Sequence, residues 1–313
     1  MLYFYLFIYI SIFYLFICLF IYLFQFVCYY HIYYFKVIKS YLDIRYRLSP
    51  SLVAAGHVAS TTGFPIVARC DLFWPNYIEA RSNDQYIHLQ DTLIAPMFET
   101  ATNITSRRLW VPPGEWQDAW TGNIVVGPSV VVSSQPYERQ PMFHRRGGVL
   151  VMLNHGDLRI NDQDWSELLL QIFPMFSNTG DVTTIHRSLY SKSPSAYEPI
   201  SETLWTGVSI TTTTTTSASG NVTIDITKSM DSVRRSWILR FHLLRHQRLS
   251  NATMDGVSLT ITHIDAVDSS YSISPPALGS IGAAPASGVI AEVTITSSNS
   301  ARRIDVTIAT VDA

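Results

Sequence analysis

Hydrophobic and polar positions divide the chain into three segments with different patterns. Residues 2–35 form a continuous run of apolar and aromatic side chains that contains no Asp, Glu, Lys or Arg. Residues 42–64 carry apolar side chains at roughly helical spacing. From residue 84 onward, short apolar stretches alternate with polar residues and are separated by turn signals, which is typical of antiparallel β-strands. The pattern therefore predicts a mostly β protein with helical structure only near its start.

The run at residues 2–35 has two interpretations, and the sequence leaves both open. It is long enough to cross a bilayer at about 20 residues per span, and the basic residues that follow from Lys36 to Arg47 would hold the rest of the chain in the cytosol. Its richness in Phe and Tyr is also what translation of AT-rich non-coding DNA would give. The segment is therefore either a membrane anchor or an error in the gene start, and the compartment is unknown unless the anchor is genuine.

The segment at residues 42–64 is predicted to be a helix that restarts at Pro50 and ends at Gly63. A short apolar run bounded by prolines, residues 65–74, is predicted to be a buried strand. A helix followed by a buried strand is the unit from which α/β barrels are assembled, and a single unit cannot close a barrel.

Residues 107–122, RRLWVPPGEWQDAWTG, combine three tryptophans with two prolines and two glycines. The Pro-Pro-Gly sequence is a turn signal, because proline fixes φ and glycine accepts a positive φ. The flanking segments are predicted to be strands. Their rings either fill a core, which is the common role of large aromatics, or stack on sugar rings. Trp116 and Trp120 are the candidate substrate-binding residues.

Composition and charge exclude several classes of function. The net charge is −2 with 15% charged residues, and no basic patch for nucleic acid is present. The three cysteines, two of which lie in the apolar run, supply neither a disulfide framework nor a zinc site. The histidines show no metal-ligand spacing, so neither a metal nor a cofactor is expected.

Four segments, in this order and at these separations, resemble the C-terminal part of glycoside hydrolase family 31, the α-glucosidase and α-xylosidase group. They are SPSLVAAGHVASTTGFPIVARCDLFWPN, DQYIHLQDTLIAPMF, RRLWVPPGEWQDAWTG and PMFHRRGGVLVML. The family's Leu-Pro-x-Gly-x-Trp and Trp-Thr-Gly signature is matched by Val111, Pro112, Gly114, Trp116, Trp120, Thr121 and Gly122. Its Pro-Leu-Phe-x-Arg-x-Gly-x-Leu pattern is matched by Pro141, Phe143, Arg145, Gly147 and Leu150.

The resemblance implies both an architecture and an activity. In the family, a (β/α)₈ catalytic barrel ends in a helix and a strand, and a proximal and a distal β-sandwich follow. The chain would then divide into a hydrophobic segment, a remnant of the last barrel helix and strand, and two sandwiches. These parts correspond to residues 1–40, 41–76, 77–154 and 155–313. The parent activity would be hydrolysis of O-glycosyl bonds in α-linked glycosides, as part of carbohydrate metabolism.

The chain departs from the family's pattern most clearly in its chemistry. Retaining glycosidases need two carboxylates about 5 Å apart. In the family both are barrel aspartates, one of them in a Trp-x-Asp-Met-Asn-Glu motif, and both precede every segment matched here. Neither motif occurs in this sequence, so no catalytic residue can be assigned and the isolated chain is expected to be inactive. A smaller departure is Gln90, which stands where the family usually has glycine.

Other polar residues have ordinary structural interpretations. Glu115 and Asp118 flank the turn and are expected to be solvated. The His-Arg-Arg cluster at residues 144–146 is expected to lie at the surface. Asp84 and Gln85 are expected to hydrogen-bond strand ends where barrel and sandwich meet.

Two hypotheses from different classes follow. In the first, the chain is the C-terminal part of a family 31 α-glycosidase, and its sandwiches brace a barrel that it does not contain. In the second, it is a non-catalytic, membrane-anchored β-sandwich protein that binds carbohydrate or a partner chain. The helix and strand at residues 41–76 favour the first, because outside a barrel they would leave apolar surface exposed.

Overall fold

The computed structural model describes residues 35–97, 106–135, 139–154, 163–190, 205–227, 235–265, 288–298 and 302–310. The aromatic run therefore lies almost entirely outside the described residues, and so does the predicted anchor. Among the residues that are described, no helix combines the length and the apolar character needed to span a membrane.

The chain divides into two compact units, residues 1–42 and residues 43–313. In the first unit, the described residues are helical, and Ser40 Oγ donates a hydrogen bond to the Val37 carbonyl at 2.7 Å. The second unit contains helix α1 (Ser49–Thr62), two short 3₁₀ turns (Cys70–Leu72 and Glu79–Arg81) and the strands of three sheets.

Helix α1 confirms the predicted restart at Pro50 and the predicted end at Gly63, whereas the predicted start at Leu42 is wrong, because residues 35–47 are already helical. Pro50 occupies the first turn, where its missing N–H breaks no intrahelical bond. Gly63 ends the helix at φ 78°, and its N–H donates to the Ala59 carbonyl at 3.0 Å. Glycine reaches this left-handed conformation without strain, which explains why the helix stops there.

The buried strand predicted at residues 65–74 is wrong in length and in burial, because Val67 and Arg69 are exposed and only Ala68 of the observed strand is buried. Only Val67–Arg69 is extended, and Cys70–Leu72 forms a 3₁₀ turn. The amides of Phe73 and Trp74 donate to the carbonyl of the first residue of that turn at 3.1 and 3.0 Å. The chain therefore curls back at this point, and the two aromatic rings pack against the core of the first sheet.

The strands, in chain order, are β1 (Val67–Arg69), β2 (Tyr86–His88), β3 (Thr92–Ile94), β4 (Ser106–Asp118), β5 (Ile124–Ser134), β6 (Met142–Arg145), β7 (Val149–Leu153), β8 (Glu167–Ile172), β9 (Val182–Tyr190), β10 (Trp205–Thr216), β11 (Ser219–Ile226), β12 (Arg235–Leu244), β13 (Gln247–Met254), β14 (Val257–Ser258), β15 (Ile261–Asp265), β16 (Gly288–Ser298) and β17 (Arg302–Thr310).

The first sheet is antiparallel, with strand order β1-β2-β3-β6-β4-β5. Strands β4 and β5 pair along most of their length, with a register shift between Val111 and Gly114. The shift falls at the two prolines, which have no N–H to donate to the ladder. One face of this sheet packs on the aromatic side chains that follow β1.

The second sheet has the order β14-β13-β17-β11-β10-β9, and the third has the order β15-β16-β12-β8-β7. Strands β8 and β12 run parallel, whereas the other pairs in these sheets are antiparallel. Apolar side chains from both sheets, such as Val222 and Ile224 on β11 and Leu239 and Phe241 on β12, form one continuous core. The predicted mostly β fold is therefore confirmed, and these two sheets form a sandwich.

Helix α1 covers the outer face of the third sheet. Leu150 and Met152 on β7 and Leu169 on β8 share a core with Leu52 of the helix. Strand β7 is thus buried on both faces, which explains its unbroken apolar sequence.

Candidate functional site

Trp116, one of the two candidate sugar-binding residues, lies in the core of the first sheet. Its side chain is 0% exposed, and its Nε1 donates a hydrogen bond to the Pro112 carbonyl at 2.9 Å. Its ring meets that of Trp74 edge to face, with the centroids 6.2 Å apart. Since no face of the Trp116 ring reaches solvent, the residue stabilises the hairpin and offers no surface to a sugar.

Trp120, the other candidate, is only half-buried. Its Nε1 donates to the Gln140 carbonyl at 2.7 Å, and this bond holds the indole against the segment that leads into β6. The Arg139 guanidinium lies over the ring, 4.9 Å from its centroid. This cation–π contact occupies one ring face, so a sugar could stack only on the other face.

The acidic residue beside this tryptophan corrects the expectation from sequence. Asp118 was expected to be solvated, but it is only 8% exposed. Its Oδ1 accepts hydrogen bonds from the amides of Trp120 and Thr121 at 2.8 and 3.0 Å, and its Oδ2 accepts one from Gln135 Nε2 at 3.3 Å. Burial raises the pKa of the carboxyl, and the amide hydrogen bonds oppose that rise. The side chain therefore shapes the Trp-Thr-Gly turn.

The cluster at residues 144–146 is a second correction, because His144 and Arg146 are each only 3% exposed. His144 stacks on Phe173 with centroids 4.8 Å apart, and the Phe173 ring stacks on His242 at 4.4 Å. The first sheet supplies one imidazole and the third sheet the other. The expected surface cluster is instead the junction of these two sheets, and only Arg145 in it is exposed.

Hydrogen bonds hold the junction in one arrangement. His144 Nδ1 lies 3.1 Å from Thr92 Oγ1, and His242 Nε2 lies 2.5 Å from Gln171 Oε1. Arg146 Nη1 donates to the His242 carbonyl at 2.8 Å. Burial lowers the pKa of His144 to about 3 and that of Arg146 to about 10. Burial and the nearby Arg240 also lower the pKa of His242 well below its ordinary value, so both imidazoles are neutral at physiological pH.

Asp84 and Gln85 both bind strand β4, and Gln85 does so at Trp110 within the strand rather than at a strand end. Gln85 Nε2 donates to the Trp110 carbonyl at 2.7 Å, while its Oε1 accepts from the Trp110 amide at 3.0 Å. Asp84 forms an ion pair with Arg107 at 2.6 Å. In the part of the chain that the structure describes, no three His, Cys, Asp or Glu side chains form a group that could hold a metal ion.

Comparison with known proteins identifies relatives for part of the chain. Residues 63–150 match the family model described as the glycosyl hydrolase family 31 C-terminal domain. "Alpha-glucosidase 2" of Bacillus thermoamyloliquefaciens is 28% identical over 127 residues, which cover 40% of this chain and 16% of the relative. An α-xylosidase of Saccharolobus solfataricus is 25% identical over 143 residues, which cover 45% of this chain and 19% of the relative. The chain thus spans less than about a fifth of these relatives.

Solved structures share the fold over most of the chain. A Flavobacterium johnsoniae dextranase of this family, in complex with isomaltotriose, matches with a TM-score of 0.63 at 20% identity, covering 84% of this chain and 32% of that one. The α-1,4-glucan lyase of Gracilariopsis lemaneiformis matches with a TM-score of 0.61 at 16% identity, covering 86% and 27%. At these identities the likeness establishes the fold.

Proposed function

We propose that this chain, which carries the C-terminal portion of a family 31 glycoside hydrolase, serves an α-glucosidase-like enzyme by bracing its catalytic barrel. The observation that carries the proposal is the match of residues 63–150 to the C-terminal domain of the family. The substrate of the whole enzyme would be an α-linked glycoside, since the curated relatives include α-glucosidases and an α-xylosidase.

Exposed apolar surface on α1 and on the segment after it supports the proposal that a barrel packs against them. Helix α1 has apolar residues on every side, and residues 51–59 are all only half-buried. A helix that is apolar all round is normally enclosed by protein. On the segment that follows, Val67, Leu72 and Ile78 are 51%, 53% and 76% exposed. In this proposal residues 41–76 are the last helix and strand of the barrel, and the rest of the barrel covers Val67, Leu72 and Ile78 and the side of α1 that faces away from β7 and β9.

The proposal assigns the chain no catalytic residue. Retaining hydrolysis needs a nucleophile and an acid, both carboxylates about 5 Å apart. The sequence lacks the Trp-x-Asp-Met-Asn-Glu motif that carries the nucleophile in the family. A proximal sandwich at residues 77–154 and a distal one at residues 155–313 complete the proposal. The alternative of a membrane-anchored binding protein is not favoured, since the comparisons lead to enzymes of this family.

An assay of glycoside hydrolysis by the purified chain tests whether it lacks catalytic residues. The full-length chain, held in a detergent without a sugar head group, is incubated with p-nitrophenyl α-glucoside and p-nitrophenyl α-xyloside. A complete family 31 α-glucosidase serves as the positive control. We expect no nitrophenol release above the blank, and turnover that co-purifies with the chain would contradict the bracing role.

A further inference from the structure

A cleft of 190 Å³ lies between α1, the β2–β3 turn, β7 and β9, and the proposed function leaves it unused. Its floor is apolar, because the buried side chains of Val149, Val151 and Leu189 line it. Its rim is polar and carries one phenyl ring, that of Phe64. The rim residues are His57, Phe64, Gln90, His186 and Ser188.

The rim contains a residue in a strained conformation. Gln90, which follows Leu89 at φ 51° in the β2–β3 turn, has φ 69°, in the left-handed region that costs a residue with a Cβ free energy and costs glycine almost none. The side chain is exposed, so burial does not account for its presence. Residues kept in such conformations concentrate at binding and active sites. The β2–β3 turn thus holds the exposed Gln90 amide in a fixed position at the mouth of the cleft.

The charge of the cleft wall favours a neutral ligand. Arg187 is the one Lys, Arg, Asp or Glu residue among the described lining residues, and it forms an ion pair with Asp91. A second nitrogen of its guanidinium donates to the His186 carbonyl at 3.0 Å. The His186 ring is oriented by a contact of 2.8 Å between Nδ1 and Ser209 Oγ. The wall thus offers oriented hydrogen-bonding groups beside an apolar floor.

We propose that this cleft binds one ring of a neutral saccharide. The Gln90 amide and the His186 imidazole hydrogen-bond to ring hydroxyls, and Phe64 contacts the apolar face of the sugar. The volume of 190 Å³ is smaller than the roughly 300–1,000 Å³ of sites for drug-sized ligands, which fits one ring and not an extended chain. The choice of a saccharide among polyhydroxyl ligands rests on the proposed function, whereas the cleft itself does not.

Equilibrium dialysis tests the site directly. The full-length chain, in a detergent without a sugar head group, is dialysed against radiolabelled glucose and radiolabelled maltose. We expect saturable binding with a Kd on the order of 1 mM, displaced by the unlabelled sugar. Absence of saturable binding of both sugars would overturn the proposal.

Variants separate loss of binding from loss of folding. Gln90→Gly removes the amide and relieves the strain, so we expect about tenfold weaker binding with no fall in Tm. His186→Ala should also weaken binding, whereas His246→Ala, an exposed histidine outside the cleft, should leave it unchanged. Wild-type affinity in Gln90→Gly would place the sugar elsewhere and refute the site. The proposed function fails through the hydrolysis assay and this inference through dialysis, so the two failures are distinguishable.

Discussion

Acidification should weaken the junction at which His144 and His242 enclose Phe173. Burial lowers the pKa of His144 to about 3, below its ordinary value of 6.5, and burial together with Arg240 lowers that of His242. Because each folded-state pKa lies below the unfolded value, the unfolded chain binds protons first as the pH falls. The stabilisation is therefore complete above about pH 6.5 and is lost progressively toward pH 3.

The magnitude follows from the His144 pKa. A pH of 5 lies about 1.5 units below the unfolded-state pKa of 6.5, and each unit corresponds to about 1.4 kcal/mol. His144 alone should then lower the free energy of unfolding by about 2 kcal/mol relative to pH 8. For a chain of 313 residues, whose unfolding entropy is about 0.66 kcal/mol/K, that loss lowers Tm by about 3 °C. His242 acts in the same direction.

Thermal unfolding monitored by tryptophan fluorescence at pH 8, 6.5 and 5 measures this effect. The variant His144→Gln removes the titrating group, so its Tm should depend on pH less than the wild-type Tm does. The variant His246→Gln, at an exposed position, should keep the wild-type dependence. If His144→Gln loses as much stability as the wild type between pH 8 and pH 5, the buried neutral imidazole is not the source.

Three further predictions concern stability and are measured by urea unfolding. Gln90→Gly should gain about 1 kcal/mol, because it relieves the conformation at φ 69°; a loss would refute the strain. Gly56→Ala should gain about 0.5–1 kcal/mol, since an added Cβ in this helix interior meets no atom within 4 Å, and a loss would mean that the helix surface is covered. Trp116→Ala should lose about 3–5 kcal/mol, whereas half-buried Trp120→Ala should lose clearly less; equal losses would contradict the assignment of Trp116 to the core.

Local signals explain what the sequence predicted well. The end of α1 at Gly63 and its restart at Pro50 depend on the backbone preferences of those residues alone. The Thr-rich and Val-rich segments became strands for the same reason, since β-branched side chains suit a pleated sheet. The motif around the Pro-Pro-Gly turn identified the family, and the match of residues 63–150 bears it out.

Burial set by distant segments explains what the sequence did not reveal. His144 reads as a surface residue beside two arginines, and only Phe173, which directly follows β8, and His242 on β12 make it a core residue. Asp118 is buried because Gln135, which follows the next strand, covers it. The departure at Gln90 was visible in the sequence, but its positive φ and its place on a cleft needed the structure.

Full-length cDNA sequencing across the codons for residues 36–46 determines whether the transcript also encodes a catalytic barrel. The proposed function predicts that the transcript continues upstream into a sequence encoding a Trp-x-Asp-Met-Asn-Glu segment. A transcript that begins at Met1 and encodes the aromatic run intact would contradict the proposed function and favour a membrane-anchored, non-catalytic sandwich.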